Sequence, residues 1–141
     1  LGDRAEAEAV TQETFIRAWK ALPDWEPRAK FSTWLHRVAL NLCYDRLRKR
    51  RDATMAEPPE QVDMALRPDD ALDQAERVKA VESAIAALPE RQAAALTLCA
   101  LQDHSQAEAA DIMEISVEAL ESLLARARRT LRTVFMERSE A

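Results

Sequence analysis

Several side-chain groups in this 141-residue chain have types and spacings that could do chemistry. His36 and Cys43 stand seven apart and so share a helix face, but no further His or Cys is spaced to complete a metal site. Asp103, His104 and Ser105 carry the residue types of a hydrolytic triad, yet three consecutive residues cannot reach one another in that geometry. Glu118 and Glu121 fit the solvated carboxylates of a helix surface. No catalytic residue, metal, cofactor or small-molecule substrate is therefore expected, and the chain is not expected to be an enzyme. What remains is positive charge. Five cations fall among the six residues from Arg46 to Arg51, near Trp25, Phe31 and Trp34, and Arg126, Arg128, Arg129 and Arg132 form a second group. Cations beside aromatic rings suit unpaired bases, whose faces stack while guanidinium groups hold the backbone. The plainer alternative puts Phe31 and Trp34 in a core, which is where Trp34 is expected, and leaves Trp25, in a proline-bounded loop, exposed. The second arginine group suits phosphates equally with a solvated face near a helix C-terminus.

The elements that must position these residues are helices. The chain has one glycine, Gly2, and is 48% hydrophobic and 32% charged. That composition excludes glycine-rich phosphate loops, Rossmann folds and β-sandwiches, and predicts an all-α fold. No apolar run approaches the ~18 residues of a membrane span, so no membrane insertion is expected. Cys43 and Cys99, isolated and without a CxxC pattern, are expected as reduced packing residues in the cytoplasm. The net charge of −5 conceals an uneven distribution. Residues 1–52 hold 11 Lys/Arg against 8 Asp/Glu, residues 53–87 hold 3 against 8, and residues 88–141 hold 6 against 9. A basic segment followed by an acidic one suits a polyanion-binding surface beside an acidic tether.

Periodicity predicts a first helix over 3–22, with Val10, Phe15, Trp19 and Leu22 on one apolar face, ended by Pro23. Ser32 is the expected N-cap of a second helix to about Arg51, with Leu35, Val38, Ala39 and Leu42 as its stripe. Residues 53–69, with Pro58, Pro59 and Pro68, read as a linker. Helical spacing returns at Asp70 with Leu72, Ala75, Val78, Val81 and Ile85. Pro89 suits the start of a helix carrying Leu96, Leu98 and Leu101. Ser105 should cap a short helix to Met113 and Ser116 a last one to about Phe135, across a turn at Glu114 and Ile115. The expected organisation is two small helical domains, 1–52 and 70–141, on a tether of 53–69. The chain starts at Leu1 already in helical pattern, so upstream residues are expected to complete the first domain.

Residues 105–124 have helix–turn–helix spacing. Ala110 is small where helices must cross, and Ile112, Ile115, Leu120 and Leu124 can pack the pair. This is the form that presents a helix to a DNA major groove, and equally an ordinary helical hairpin.

Two segments resemble the extracytoplasmic-function (ECF) type of bacterial RNA polymerase sigma factor. The run from Glu8 to Trp19 (EAVTQETFIRAW) is similar to the family's region 2.2, and Phe31–Leu42 (FSTWLHRVALNL) with Asp45–Arg51 continues the match. Leu88–Gln92 (LPERQ) is similar to the opening of region 4, and residues 115–128 to its helix–turn–helix. The resemblance implies a promoter-specificity subunit that binds core RNA polymerase and promoter DNA and is held inactive by an anti-sigma factor. It assigns polymerase docking to Gln12, Glu13, Phe15 and Arg17, and the −10 element to Trp25, Lys30, Ser32, Arg37, Asn41 and Arg48. The −35 element falls to Ser116, Glu118, Ala119, Glu121, Ser122, Arg126, Arg128 and Arg129. Glu114 stands where the family often has glycine, and Glu121 and Leu123 where it has Lys and Arg. A helix–turn–helix regulator without polymerase docking and a helical adaptor without a DNA role are the competing readings.

Overall fold

The computed structural model describes residues 3–24, 30–54 and 74–139, and every element among them is helical. Helix α1 (Arg4–Ala21) starts where the Asp3 carboxylate accepts from the backbone N–H groups of Ala5 (2.9 Å) and Glu6 (3.2 Å). It ends in a tight 3-10 turn, Leu22–Asp24, around Pro23. Helix α2 (Phe31–Thr54) begins before the expected Ser32 cap: the Lys30 carbonyl accepts from Thr33 (3.1 Å) and Trp34 (3.2 Å). Starting there makes Phe31 helical and brings its ring within 5.5 Å of Trp34, a contact that a start at Ser32 would forfeit. Trp34 is half-buried rather than enclosed.

Glu6, early in α1, pairs with Arg50, late in α2, so the two helices run antiparallel. The face of α1 that packs inward is Val10, Thr14 and Ala18, and the Thr14 hydroxyl escapes a desolvation cost by donating to the Val10 carbonyl (2.7 Å). The expected apolar face shares only Val10 with this seam. Phe15 (62% exposed), Trp19 (79%) and Leu22 (51%) point outward, because the pair approaches through small and branched side chains.

A second unit holds the larger core. Helices α3 (Gln74–Ala86), α4 (Glu90–Leu96), α5 (Gln106–Met113) and α6 (Val117–Ser139) enclose Ile85, Leu88, Ala95, Leu96, Leu98, Ile112, Leu120 and Leu124. In α3 the buried face is Ala80, Ala84 and Ile85, while Val78 and Val81 are exposed. The seam is again alanine-rich, displaced from the branched residues that sequence periodicity favours. Leu72 and the residues assigned to the linker from 55 to 69 lie outside the described residues. After α4 the chain widens into a π-type turn, Thr97–Leu101, in which Gln102 N–H reaches the Thr97 carbonyl (3.1 Å). Leu101, at the end of this turn, is 55% exposed, while Leu96 and Leu98 are buried.

Helix α5 opens with a capping box. Ser105 Oγ accepts from Glu108 N–H (3.1 Å), and the Glu108 carboxylate accepts from the Ser105 backbone and from His104 Nδ1 (3.1 Å). The turn to α6 is closed by Ile115 N–H on the Ala110 carbonyl (3.0 Å), with Glu114 left-handed at φ 57, ψ 42. Ser116 Oγ then caps α6 through Ala119 N–H (3.1 Å). A non-glycine residue in that conformation costs about 1 kcal/mol. Glu114→Gly should therefore leave the chain at least as stable, and Glu114→Val should destabilise it by more than ~1 kcal/mol, as read by thermal denaturation; a valine variant as stable as wild type would refute the left-handed turn.

The hydrogen bond from His104 is the main cause holding the Glu108 carboxyl below the usual range, helped by the Ser105 backbone. A depressed folded-state pKa stabilises the fold above the unfolded value and is lost as pH falls through the folded one. The cap should weaken only in acid, and His104→Ala should raise the Glu108 titration midpoint followed by carboxyl NMR. An unmoved midpoint would exclude His104 as the cause.

Candidate nucleic-acid interface

The buried side of α6 is set by Leu120, Leu124 and Ala127, none more than 2% exposed. Helical spacing then puts Glu118, Ser122 and Arg129 on the opposite stripe and Glu121 on the flank it shares with Arg128, and all are exposed. Arg126 and Arg128 are exposed on its two flanks, Ala119 is half-buried beside it, and Ser116 is spent on the cap. The structure thus brings the residues assigned to the −35 element onto one projecting helix. Its first turns carry carboxylates, which the positive end of the helix dipole favours, and its middle carries guanidinium groups.

Arg37, Asn41 and Arg48 recur at intervals of four and seven along α2 and share a second stripe. Asn41 and Arg48 are exposed, and Arg48 pairs with Asp45. Arg37 is already engaged: its Nε (2.9 Å) and Nη2 (2.7 Å) both donate to the Asp111 carbonyl near the end of α5, and Nη1 lies 3.9 Å from Glu114. Lys30 and Ser32 are exposed at the start of α2, with Ser32 away from the Arg37 stripe; Trp25 lies outside the described residues.

On α1, Gln12 and Phe15 lie on the outward side, while Glu13 and Arg17 pair at its flank (3.2 Å). Sequence reasoning singled out neither Ile16 nor the outward turn of Trp19, which are 48% and 79% exposed. It also missed that α2 packs on α5. Leu40 lies against the core of the second unit, and the His36 ring meets the His104 ring edge-on at 4.7 Å. These contacts join residues far apart in sequence, and no local pattern encodes them.

Both cysteines are free and half-buried, and burial pushes their thiols up, which keeps them protonated and poor as nucleophiles or metal ligands. Among the described residues no three His, Cys, Asp or Glu side chains are grouped to hold a metal ion, and no helix is long and apolar enough to cross a membrane.

Residues 1–53 match the sigma-70 region 2 family and residues 79–131 the sigma-70 region 4 family. The chain is 32% identical to the ECF RNA polymerase sigma factor SigW of Bacillus subtilis, over 94% of its own length and 76% of that protein. It is 33% identical to SigG of Mycobacterium tuberculosis over 94% of its own length, spanning 43% of that longer protein. Among solved structures, CnrH in complex with the cytosolic domain of CnrY superposes with a TM-score of 0.68 at 29% identity, covering 96% of this chain and 74% of that one. Two helical units in this order, each matched by its own sigma-70 family, place the chain among the ECF RNA polymerase sigma factors, which are transcription initiation factors and not enzymes.

Proposed function

We propose that this chain is a promoter-specificity subunit acting in the cytoplasm, in which 1–52 docks on core RNA polymerase and reads the −10 element, 53–69 is the tether, and 70–141 reads the −35 element. The observation that carries the reading is the outward stripe of α6, fixed on a helix–turn–helix by three enclosed side chains on its opposite face. A rigid helix with arginines at its flanks is what duplex recognition needs, phosphates fixing register while the tip meets base edges. Glu118 and Glu121 give that tip an unusual chemistry. A carboxylate accepts from cytosine N4 in the major groove, so the favoured −35 element carries cytosine where one of these residues lands.

Strand opening falls to the first unit. Unstacking a base costs a few kcal/mol, offset by stacking on aromatic rings and by groups that hold the extruded base. Arg37 and Asn41 on α2, with Trp25, supply that chemistry. Gln12, Glu13, Phe15 and Arg17 form the polymerase-facing surface, and core polymerase contacts let a chain of net charge −5 work on DNA it would bind weakly alone. CnrH, a relative of similar fold, is solved with the cytosolic domain of CnrY. Control of this chain by an anti-sigma partner follows from that likeness.

Run-off transcription with core polymerase over genomic promoter fragments should give start sites that depend on this chain; initiation nowhere would refute the proposal. Asn41→Ala should impair open-complex formation, read by permanganate footprinting, while leaving core binding intact. Equal loss of both would mark a folding defect in place of a strand contact. Arg128→Ala with Arg129→Ala should flatten the plot of log affinity against log salt by about 0.9 per lost phosphate contact. An unchanged slope would remove both arginines from the interface.

A further inference from the structure

The chain has two histidines, and the fold brings them together. His36 stands in the second turn of α2 and His104 just before α5, and their rings meet at 4.7 Å between centroids with planes 87° apart. Sequence spacing pairs His36 with Cys43 on one helix face; folding pairs it with His104 instead. The ring nitrogens of both are already sorted. Nδ1 of His36 lies 2.7 Å from the Ser32 carbonyl oxygen, and Nδ1 of His104 lies 3.1 Å from the Glu108 carboxylate. A backbone carbonyl and an ionised carboxylate can only accept, so each Nδ1 carries the hydrogen, and in the neutral ring each Nε2 is left as a lone pair. Both rings are withdrawn from solvent: the His104 side chain is 19% exposed and His36 is half-buried.

We propose that His36 and His104 bind one divalent ion of the zinc, nickel or copper class through their two Nε2 atoms, with water in the remaining positions. Imidazole nitrogen is a ligand that these borderline ions take, whereas magnesium and calcium call for oxygen. Two imidazoles that hold one ion through Nε2 at about 2.1 Å have centroids ~4.5–5.2 Å apart as the ligand angle opens from a right angle to tetrahedral. The spacing of 4.7 Å falls inside that interval, and near-perpendicular planes keep the ring hydrogens clear of one another. The partners of Nδ1 are a separate observation that points the same way. Metal-bound histidines donate their other N–H to a carboxylate or a backbone carbonyl, which fixes the tautomer and makes the ligating nitrogen more basic. His104 has the first arrangement and His36 the second. Glu108, whose carboxyl that same hydrogen bond holds below the usual range, also places a negative charge behind the His104 ring. The two ligands come from different units, so the site is complete only where α2 and the approach to α5 are both in place. Neither histidine belongs to the residues assigned to polymerase or DNA, so the site stands apart from the promoter reading.

The test uses the full chain with Zn²⁺ as the probe. Because the chain holds only these two imidazoles, long-range ¹H–¹⁵N spectra resolve every ring nitrogen. One equivalent of Zn²⁺ should shift both Nε2 signals together while both Nδ1 atoms keep their hydrogens. A shift confined to one ring, or absent from both, would overturn the proposal. By calorimetry, His36→Gln and His104→Gln should each weaken Zn²⁺ binding by roughly tenfold or more, and Glu108→Gln, which keeps both rings, by about tenfold. Binding that survives both histidine variants and is lost in Cys43→Ala or Cys99→Ala would assign the ion to sulfur and refute the histidine site. The ring-nitrogen spectra are read on the unaltered chain, so a variant that fails to fold leaves that test standing.

Discussion

The arrangement depends on how closely α4 and α5 approach α6. Ala95, Ala109 and Ala127 are fully enclosed and Ala110 nearly so, which lets backbones come together where larger side chains would hold them apart. That approach buries Leu120 and Leu124, and their burial fixes which side of α6 faces out. It also determines where α5 must stop. Glu114 turns left-handed because the chain has to reverse within two residues, and the only glycine is Gly2. The same stop exposes the Asp111 carbonyl to Arg37. The outward stripe of α6, the left-handed turn and the contact between units all descend from this alanine-lined packing.

Local signals in the sequence were reliable where a single residue carries the physics. Ser105 and Ser116 cap the helices they were expected to cap, Pro23 ends α1, and Glu114 pays for its turn with left-handed geometry. Faces were harder to read. Sequence periodicity weights large apolar residues, so it drew the stripes of α1 and α3 through Phe15, Trp19, Val78 and Val81. The folded chain packs those helices through Val10, Thr14, Ala18, Ala80 and Ala84 instead. In an alanine-rich chain, small side chains win the inner face because they permit close approach. The π-type turn after α4 is likewise invisible to a 3.6-residue period. The site stripes on α2 and α6 could be located from spacing alone. The partner of Arg37 could not, since a backbone carbonyl seventy-four residues away leaves no mark on residue types.

Charge tells a similar story of local over global. A net charge of −5 reads as unfavourable for DNA, but field strength at a contact depends on what lies within a Debye length of about 8–10 Å. Arg37, Asn41 and Arg48 occupy one stripe, and Arg126, Arg128 and Arg129 surround another, while the segment richest in acid falls between the two units in sequence. An acidic total therefore does not exclude locally basic stripes on α2 and in the middle of α6.

The surface between the two units differs in kind from the core of the second. That core is leucine, isoleucine and alanine. The inter-unit surface relies on a guanidinium with its side chain 32% exposed, two histidines and an ion pair at 3.7 Å. Permanent interfaces resemble a divided core, whereas those meant to separate stay polar and limited in area. Each polar group here has an alternative partner ready in water or nucleic acid, so parting strands no buried charge. Replacing this surface with close-packed leucine would hold the units together through apolar burial, and would also remove the two donors that Arg37 gives to the Asp111 carbonyl.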